Sequence, residues 1–229
     1  MKAPENWTAH YAAHGPKKSL YPTEWVVRTL AGGNYPRLKM DKSRYAGARI
    51  LDMGCGDGRN LGLLQDLGFE VHAVEISEAM IDKLQEAAGE HGQRVQFAVG
   101  RNESLPYPEG HFDYMLCCAS CYYLEGDMTW AAVRKELARV LKPGGRMIAN
   151  FPDEQNAVLK DAIRHADGSL LITSDPFSIR NGSRFMAVAK MEELKPLLAP
   201  EFLLIGAGQQ SDDFYGLQVS GFITVSERI

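Results

Sequence analysis

Two hydrophobic periods alternate along the chain. "ARILDM" (48–53), "EVHAVEI" (70–76), "RVQFAVG" (94–100), "FDYMLCC" (112–118) and "RMIANF" (146–151) are short, nearly continuous apolar runs. Such runs predict strands of a parallel sheet covered on both faces. Between them, "RNLGLLQDLG" (59–68), closed by Gly68, and "MTWAAVRKELARVL" (128–141) place apolar residues at helical spacing. "SEAMIDKLQEAAGEHG" (77–92) does the same, with Ser77 as its expected N-cap and Gly92 beyond its end. "KPGG" (142–145) predicts a turn into the fifth strand. Upstream, "PTEWVVRTLA" (22–31) predicts a short helix with Trp25, Val26, Thr29 and Leu30 as its apolar stripe. The alternation breaks after residue 151. Residues 152–189 are rich in turn signals and hold two β-like runs, "SLLITS" (169–174) and "RFMAVA" (184–189). "KMEELKPLLAP" (190–200) predicts a helix, and "EFLLIGAG" (201–208) and "LQVSGFITVSER" (217–228) two last strands. There is no internal repeat, and the pattern predicts an α/β fold.

Composition narrows the function classes. The 229 residues are 45% hydrophobic and 24% charged, with a net charge of −4, which suits one globular core. Lys17-Lys18 is the densest basic pair. Nucleic acid is therefore disfavoured as a partner, because phosphate recognition needs many cationic contacts. No apolar stretch is long enough to span a membrane, and "MKAPENWTAHYAAHGPKKS" has no apolar signal core, so a cytoplasmic location is expected. Three of the four cysteines lie in "CCASC" (117–121), without a second cluster at metal-ligand spacing. They are expected to be reduced, buried and metal-free.

The densest candidate chemistry is "ILDMGCGDGRN" (50–60), a strand breaking into alternating glycines. A dinucleotide, a nucleoside-like cofactor or a bare tight turn would each ask for such a loop. The dinucleotide fingerprint G-x-G-x-x-G fails: Arg59 holds the third glycine position counted from Gly54, and Leu61 holds it counted from Gly56. What remains is G-x-G-x-G behind Asp52, with Glu75 ending the next strand, where a carboxylate can accept from two ribose hydroxyls.

"ILDMGCGDGRN" resembles the first motif of class I S-adenosylmethionine (SAM) dependent methyltransferases, and "AVEIS" (73–77) the second. "GRNESLPYPEGHFDYMLCC" (100–118) is similar to their third region, and "LARVLKPGGRMIANF" (137–151) to their turn into strand five. The resemblance implies a Rossmann-like seven-stranded mixed sheet, last strand antiparallel, with helices on both faces. It also implies a single domain over 1–229. Within it, 1–45 would cap the cofactor, 46–151 bind it, 152–189 form a substrate lid, and 190–229 add a helix and two strands. The cofactor would be SAM, leaving as S-adenosylhomocysteine. Gly54, Cys55 and Gly56 would line its methionine moiety, Asp52 would approach the ammonium, and Glu75 would take the ribose. Ile76 and Met80 would face the adenine, Cys118 and Ala119 would flank the cofactor, and Tyr11 would fold over its methionine end. The family's adenine-binding Asp aligns with Arg101, which has no acceptor. Asn102 is expected there instead, with Glu103 beside it among the cofactor-binding residues.

The acceptor end is less marked. Tyr122, Tyr123, Asp153 (with Glu154 next to it) and His14 are candidate catalytic groups, although an activated methyl needs mainly alignment and some acceptors need no base. Tyr123, Arg180, Arg184 and Tyr215 are candidate acceptor contacts, the two arginines flanking an Asn-Gly turn as an anion clamp. Methyl transfer to a small molecule is expected. The alternatives are a tRNA or protein methyltransferase, an enzyme using a carboxylated or decarboxylated SAM read by Arg59 or Arg101, and a non-catalytic SAM-binding regulator. An NAD-dependent oxidoreductase is the weakest rival. The acceptor atom and the oligomeric state, a homodimer included, stay open.

Overall fold

A computed structural model defines residues 6, 7, 9, 10, 13, 21–32 and 34–229, the side chains of 87–91 excepted. Helix α1 (Glu24–Leu30) buries Trp25, Val26, Thr29 and Leu30, the stripe its sequence predicts. Then come β1 (Arg49–Met53), α2 (Leu61–Asp66), β2 (Glu70–Glu75), α3 (Glu78–Gly92), β3 (Gln96–Val99) and β4 (Phe112–Cys117). They are followed by β5 (Tyr123–Leu124), α4 (Trp130–Val140) and β6 (Leu141–Pro152). The last part holds β7 (Ile163–Arg164), β8 (Leu170–Leu171), β9 (Arg184–Phe185), α5 (Leu194–Leu198), β10 (Phe202–Phe214) and β11 (Leu217–Arg228).

Seven strands form one sheet in the order β10-β11-β6-β4-β1-β2-β3. β1 pairs parallel with β2 and β4, while β11 runs antiparallel to both β6 and β10. This is the mixed sheet expected, and the residue alternation explains its two cores. Ile50, Val71, Tyr114, Leu116 and Ile148 pack with Trp25, Leu61 and Leu64 on one side. Leu51, Met53, Met115, Cys117 and Met147 pack with Val133 and Leu137 of α4 on the other. Thr129 caps α4 by accepting the Ala132 N–H at 3.2 Å. Because β1, β2 and β4 are parallel, their C-terminal ends open onto one edge of the sheet, where ligands bind in such folds.

Three local expectations are corrected. "KPGG" is not a turn ahead of β6: Leu141 already pairs with Phe112, and Arg146 pairs with Tyr114, so residues 142–145 bulge out within the strand. Gly144 takes φ +76° there. Ser77 does precede α3, but only its carbonyl accepts from the helix, from Met80 and Ile81; its hydroxyl is buried without a partner. Residues 190–200 split into a 3-10 turn (Met191–Glu193) and the short α5.

Residues 152–189 contribute to a second, four-stranded sheet in the order β5-β9-β8-β7. Its edge strand β5 comes not from that insertion but from the segment after β4, and Tyr123 pairs with Phe185. This insertion is thus hydrogen-bonded to the chain leaving the sheet's C-terminal edge. Among the described residues no helix is long and apolar enough to cross a membrane.

Candidate active site

The chain leaving β1 turns sharply, with Gly54 at φ +64° and Gly56 at φ +61°, a region L side chains avoid. The Gly54 and Cys55 N–H groups both donate to the Val74 carbonyl, at 2.9 and 3.3 Å, which pins the loop to β2. Glu75 ends β2 and completes the fastening: Oε1 accepts the Gly56 N–H at 2.6 Å and Oε2 the Ile76 N–H at 3.0 Å. A Cβ on residue 54 would stand 2.7 Å from the Ser120 Cβ. Gly54→Ala is therefore expected to cost about 1–3 kcal/mol of stability, from the backbone strain and the contact together. Thermal melting checks it, and an unchanged transition would mean the loop has another conformation.

The loop's electrostatics are unusual. Asp52 is 1% exposed, and neither carboxylate oxygen has a hydrogen-bond partner. Burial pushes its carboxyl up to about 7, with the charges of Glu75 and Asp57 adding to the rise. Burial likewise lifts Glu75 to about 7, against the lowering effect of its two N–H donors. Two desolvated carboxyls facing one space are costly without donors or positive charge to meet them.

That space is a cavity of about 380 Å³ lined by Asp52, Gly54, Cys55, Gly56, Glu75, Ile76 and Met80. Asn102, Cys118, Ala119, Ser120, Tyr123 and Arg180 close its other sides. Asn102 is a brace: its Nδ2 donates to the carbonyls of Ser120 and Tyr123, each at 3.0 Å. Ala119 sits at φ +56°, held by a 2.7 Å bond from its N–H to Asn150 Oδ1. Backbone strain of this kind gathers at functional sites.

A methyltransferase-domain profile matches residues 50–145, the stretch that builds this loop and its wall. The ubiquinone biosynthesis O-methyltransferase of Xanthomonas oryzae pv. oryzae is 31% identical over 156 residues, 68% of this chain and 61% of its own. Residues 50–145 are a methyltransferase domain of the class I S-adenosylmethionine-dependent kind. The PH0226 protein of Pyrococcus horikoshii shares 27% identity, with a TM-score of 0.64 over 96% of this chain and 99% of its own. The 1,6-didemethyltoxoflavin-N1-methyltransferase of Burkholderia thailandensis, solved with 1,6-didemethyltoxoflavin and S-adenosylhomocysteine, has the same fold: 19% identity, TM-score 0.58, 80% of this chain and 72% of its own. The chain spans about half the length of several curated relatives it matches.

The cavity fits the family's cofactor, SAM. Asp52 is an orphaned buried acceptor suited to an ammonium, and Glu75 keeps acceptor positions beyond the two its backbone donors use. The bare loop at Gly54 and Gly56 admits a ligand against the backbone.

Of the other expected cofactor residues, Glu103 is exposed and outside the lining, because the tight 101–104 turn aims it at solvent. Tyr11 and His14 lie outside the described residues. The acceptor candidates divide. Tyr123 and Arg180 line the cavity. Arg184 instead braces the 152–189 insertion, donating to the carbonyls of Gly126 and Met128 at 2.8 Å and pairing with Asp167 at 3.3 Å. Tyr215 is fully exposed: with Gly216 it forms the two-residue turn of the β10–β11 hairpin, both at positive φ. Asp153 is buried and bonded by the Ser220 hydroxyl at 2.5 Å, Glu154 pairs with exposed Arg164, and Tyr122 is core behind Tyr123.

The structure adds Trp7, Thr23, Trp25 and Asn60 to the cavity wall. Asn60 directly follows the glycine loop and could have been suspected. It accepts the Thr23 N–H at 3.0 Å and so ties the N-terminal segment to the loop. Nothing in the local sequence marks Trp7 or Thr23.

Proposed function

We propose that this chain transfers the methyl group of SAM to a small-molecule acceptor. The observation that carries the reading is one cavity holding both a cradle of buried carboxyls on a glycine loop and an aromatic wall of Trp7 and Tyr123 under the lid. Bound there, SAM supplies a methyl already activated on a sulfonium. The protein's residues then orient and desolvate. Asp52 and Glu75 hold the polar ends of the cofactor, the glycine loop approaches its methionine portion, and Trp7 with Tyr123 keeps water from the acceptor side.

Apart from Asp52 and Glu75, which this reading gives to the cofactor, no strong base lines the cavity among the described residues. Burial pushes the Tyr123 phenol up to about 12 and the Cys118 thiol to about 11, so both stay protonated at neutral pH. Asp57 is paired with Arg59 and Glu125 with Arg101. The acceptor is therefore one that ionises readily or attacks without losing a proton first. Small acceptors also fit the likeness to the Xanthomonas ubiquinone biosynthesis O-methyltransferase and the Burkholderia 1,6-didemethyltoxoflavin-N1-methyltransferase. The four free cysteines suit a reducing, cytoplasmic setting.

The test is calorimetry with S-adenosylhomocysteine, then incubation with SAM and a panel of phenols, amines, thiols and acidic carbon compounds. Micromolar binding and product S-adenosylhomocysteine formed with a panel member are expected. Absence of binding, or methyl incorporation only into bulk tRNA or protein, would overturn the proposal.

A further inference from the structure

Arg180 stands where the lid meets the cavity. Its guanidinium carbon lies 5.3 Å from the centroid of the Trp7 ring, and its charge faces the Tyr123 phenol. Trp7 and Tyr123 meet edge to face at 6.3 Å, and Tyr122 stacks behind Tyr123 at 5.2 Å. The result is an aromatic corner with a planar cation at its rim.

Asp175 positions that cation without using it up. Its buried carboxylate accepts the backbone N–H groups of Phe177 (3.2 Å), Ile179 (3.0 Å) and Arg180 (2.9 Å), which organises the 175–180 loop. It reaches the guanidinium only through Nη1, at 3.2 and 3.3 Å. Five N–H donors radiate from a guanidinium, so most remain for a ligand. Of the two arginines lining the cavity, Arg59 is bonded to its neighbour Asp57 in the glycine loop, through Nε at 2.9 Å and Nη2 at 2.5 Å. Arg180 is the one placed among the aromatic rings of the lid.

We infer that Arg180 reads an anion on the acceptor, and that the acceptor is a planar aromatic molecule bearing a carboxylate, stacked in the corner of Trp7 and Tyr123. This rests on the methyl-transfer reading above. A buried carboxylate requires a paired cation, and a guanidinium meets it with two parallel bonds. The flat rings beside it bind a conjugated ligand face and not an aliphatic chain. A wall without a strong base fits the same ligand, since a phenol conjugated to such a group ionises with less help.

The test uses the full chain saturated with S-adenosylhomocysteine. The probes are 4-hydroxybenzoate and 4-hydroxycinnamate, each against its primary amide, with affinity read by calorimetry. The acids will bind at least about tenfold more tightly than the amides, as expected for one charge-assisted contact. Arg180→Met will abolish the difference while leaving S-adenosylhomocysteine affinity within about twofold, and Arg180→Lys will restore part of it. Acids and amides that bind alike, or do not bind, overturn the inference. So does Arg180→Met weakening S-adenosylhomocysteine but not 5′-methylthioadenosine, because the guanidinium would then read the cofactor's own carboxylate. Should Arg180→Met fail to fold, the acid–amide comparison on the unaltered chain and Arg180→Lys decide. Failure of the unaltered chain to bind S-adenosylhomocysteine strikes the methyltransferase reading itself, a separate outcome.

Discussion

Glu75→Gln will lower the affinity for S-adenosylhomocysteine by about 100-fold or more. The carboxylate does two jobs at once. It accepts the Gly56 and Ile76 N–H groups and so holds the glycine loop, and it keeps acceptor positions for two ribose hydroxyls. Glutamine has the same shape but one acceptor oxygen. Its NH₂ must then face a backbone N–H or displace a hydroxyl bond. Losing two charge-assisted bonds, at about 1.5–3 kcal/mol each, amounts to about 3–6 kcal/mol, which is two to four decades of affinity. Calorimetry measures the loss, and the melting temperature of the free variant shows that the fold has survived. An affinity within about threefold of the unaltered chain would mean that Glu75 does not touch the ligand.

Cofactor affinity will also fall steeply in mild acid. Asp52 and Glu75 are both raised to about 7, chiefly by burial. The ligand's ammonium and hydroxyls need their ionised forms, so binding releases protons wherever the free protein holds them. Below pH 7 each carboxyl contributes up to about a tenfold loss of affinity per pH unit. Between pH 8 and 5.5 the dissociation constant for S-adenosylhomocysteine should rise by two to three decades, on the order expected for two coupled groups. Calorimetry in buffers of differing ionisation enthalpy will show between one and two protons released near pH 6. Stability of the free protein runs the other way. A carboxyl whose folded pKa is raised contributes stability below its unfolded pKa, near 4, and loses it as pH rises through about 7. The shifts correspond to about 3–4 kcal/mol for each group. The free protein should therefore gain melting temperature from these groups on going from pH 8 to 6, while the increment added by ligand shrinks. A dissociation constant that stays flat from pH 8 to 5.5 would show that the two carboxyls are already ionised.

Both predictions concern residues readable in the linear chain, and the reason is local. A loop that must take positive φ directly after a strand needs glycine, and its fastening to the next strand needs an acceptor at that strand's end. Gly54, Gly56 and Glu75 satisfy both demands within 22 residues, so spacing suffices to find them. Asp52 is visible for the same reason: a carboxylate inside an apolar strand is out of place unless something meets it. The acceptor end had no such signature. Arg180 and Arg184 flank one turn and are alike by spacing, yet one lines the cavity and the other braces backbone carbonyls of the 126–128 loop.

The chain's own pattern determined the order of the central strands and helices and the glycine loop with its two carboxyls, because each depends on period and on conformational demands within a few residues, while the antiparallel last strand follows from the family resemblance. Only the tertiary structure decided that the segment after β4 pairs with the lid, that the KPGG stretch bulges inside a strand, and that Trp7, Thr23 and Arg180 converge on the loop from remote parts of the chain. Those contacts join residues far apart in the chain, Phe112 with Leu141, Tyr123 with Phe185 and Trp7 with Arg180, and what brings them together is the burial of whole faces, which no local spacing encodes.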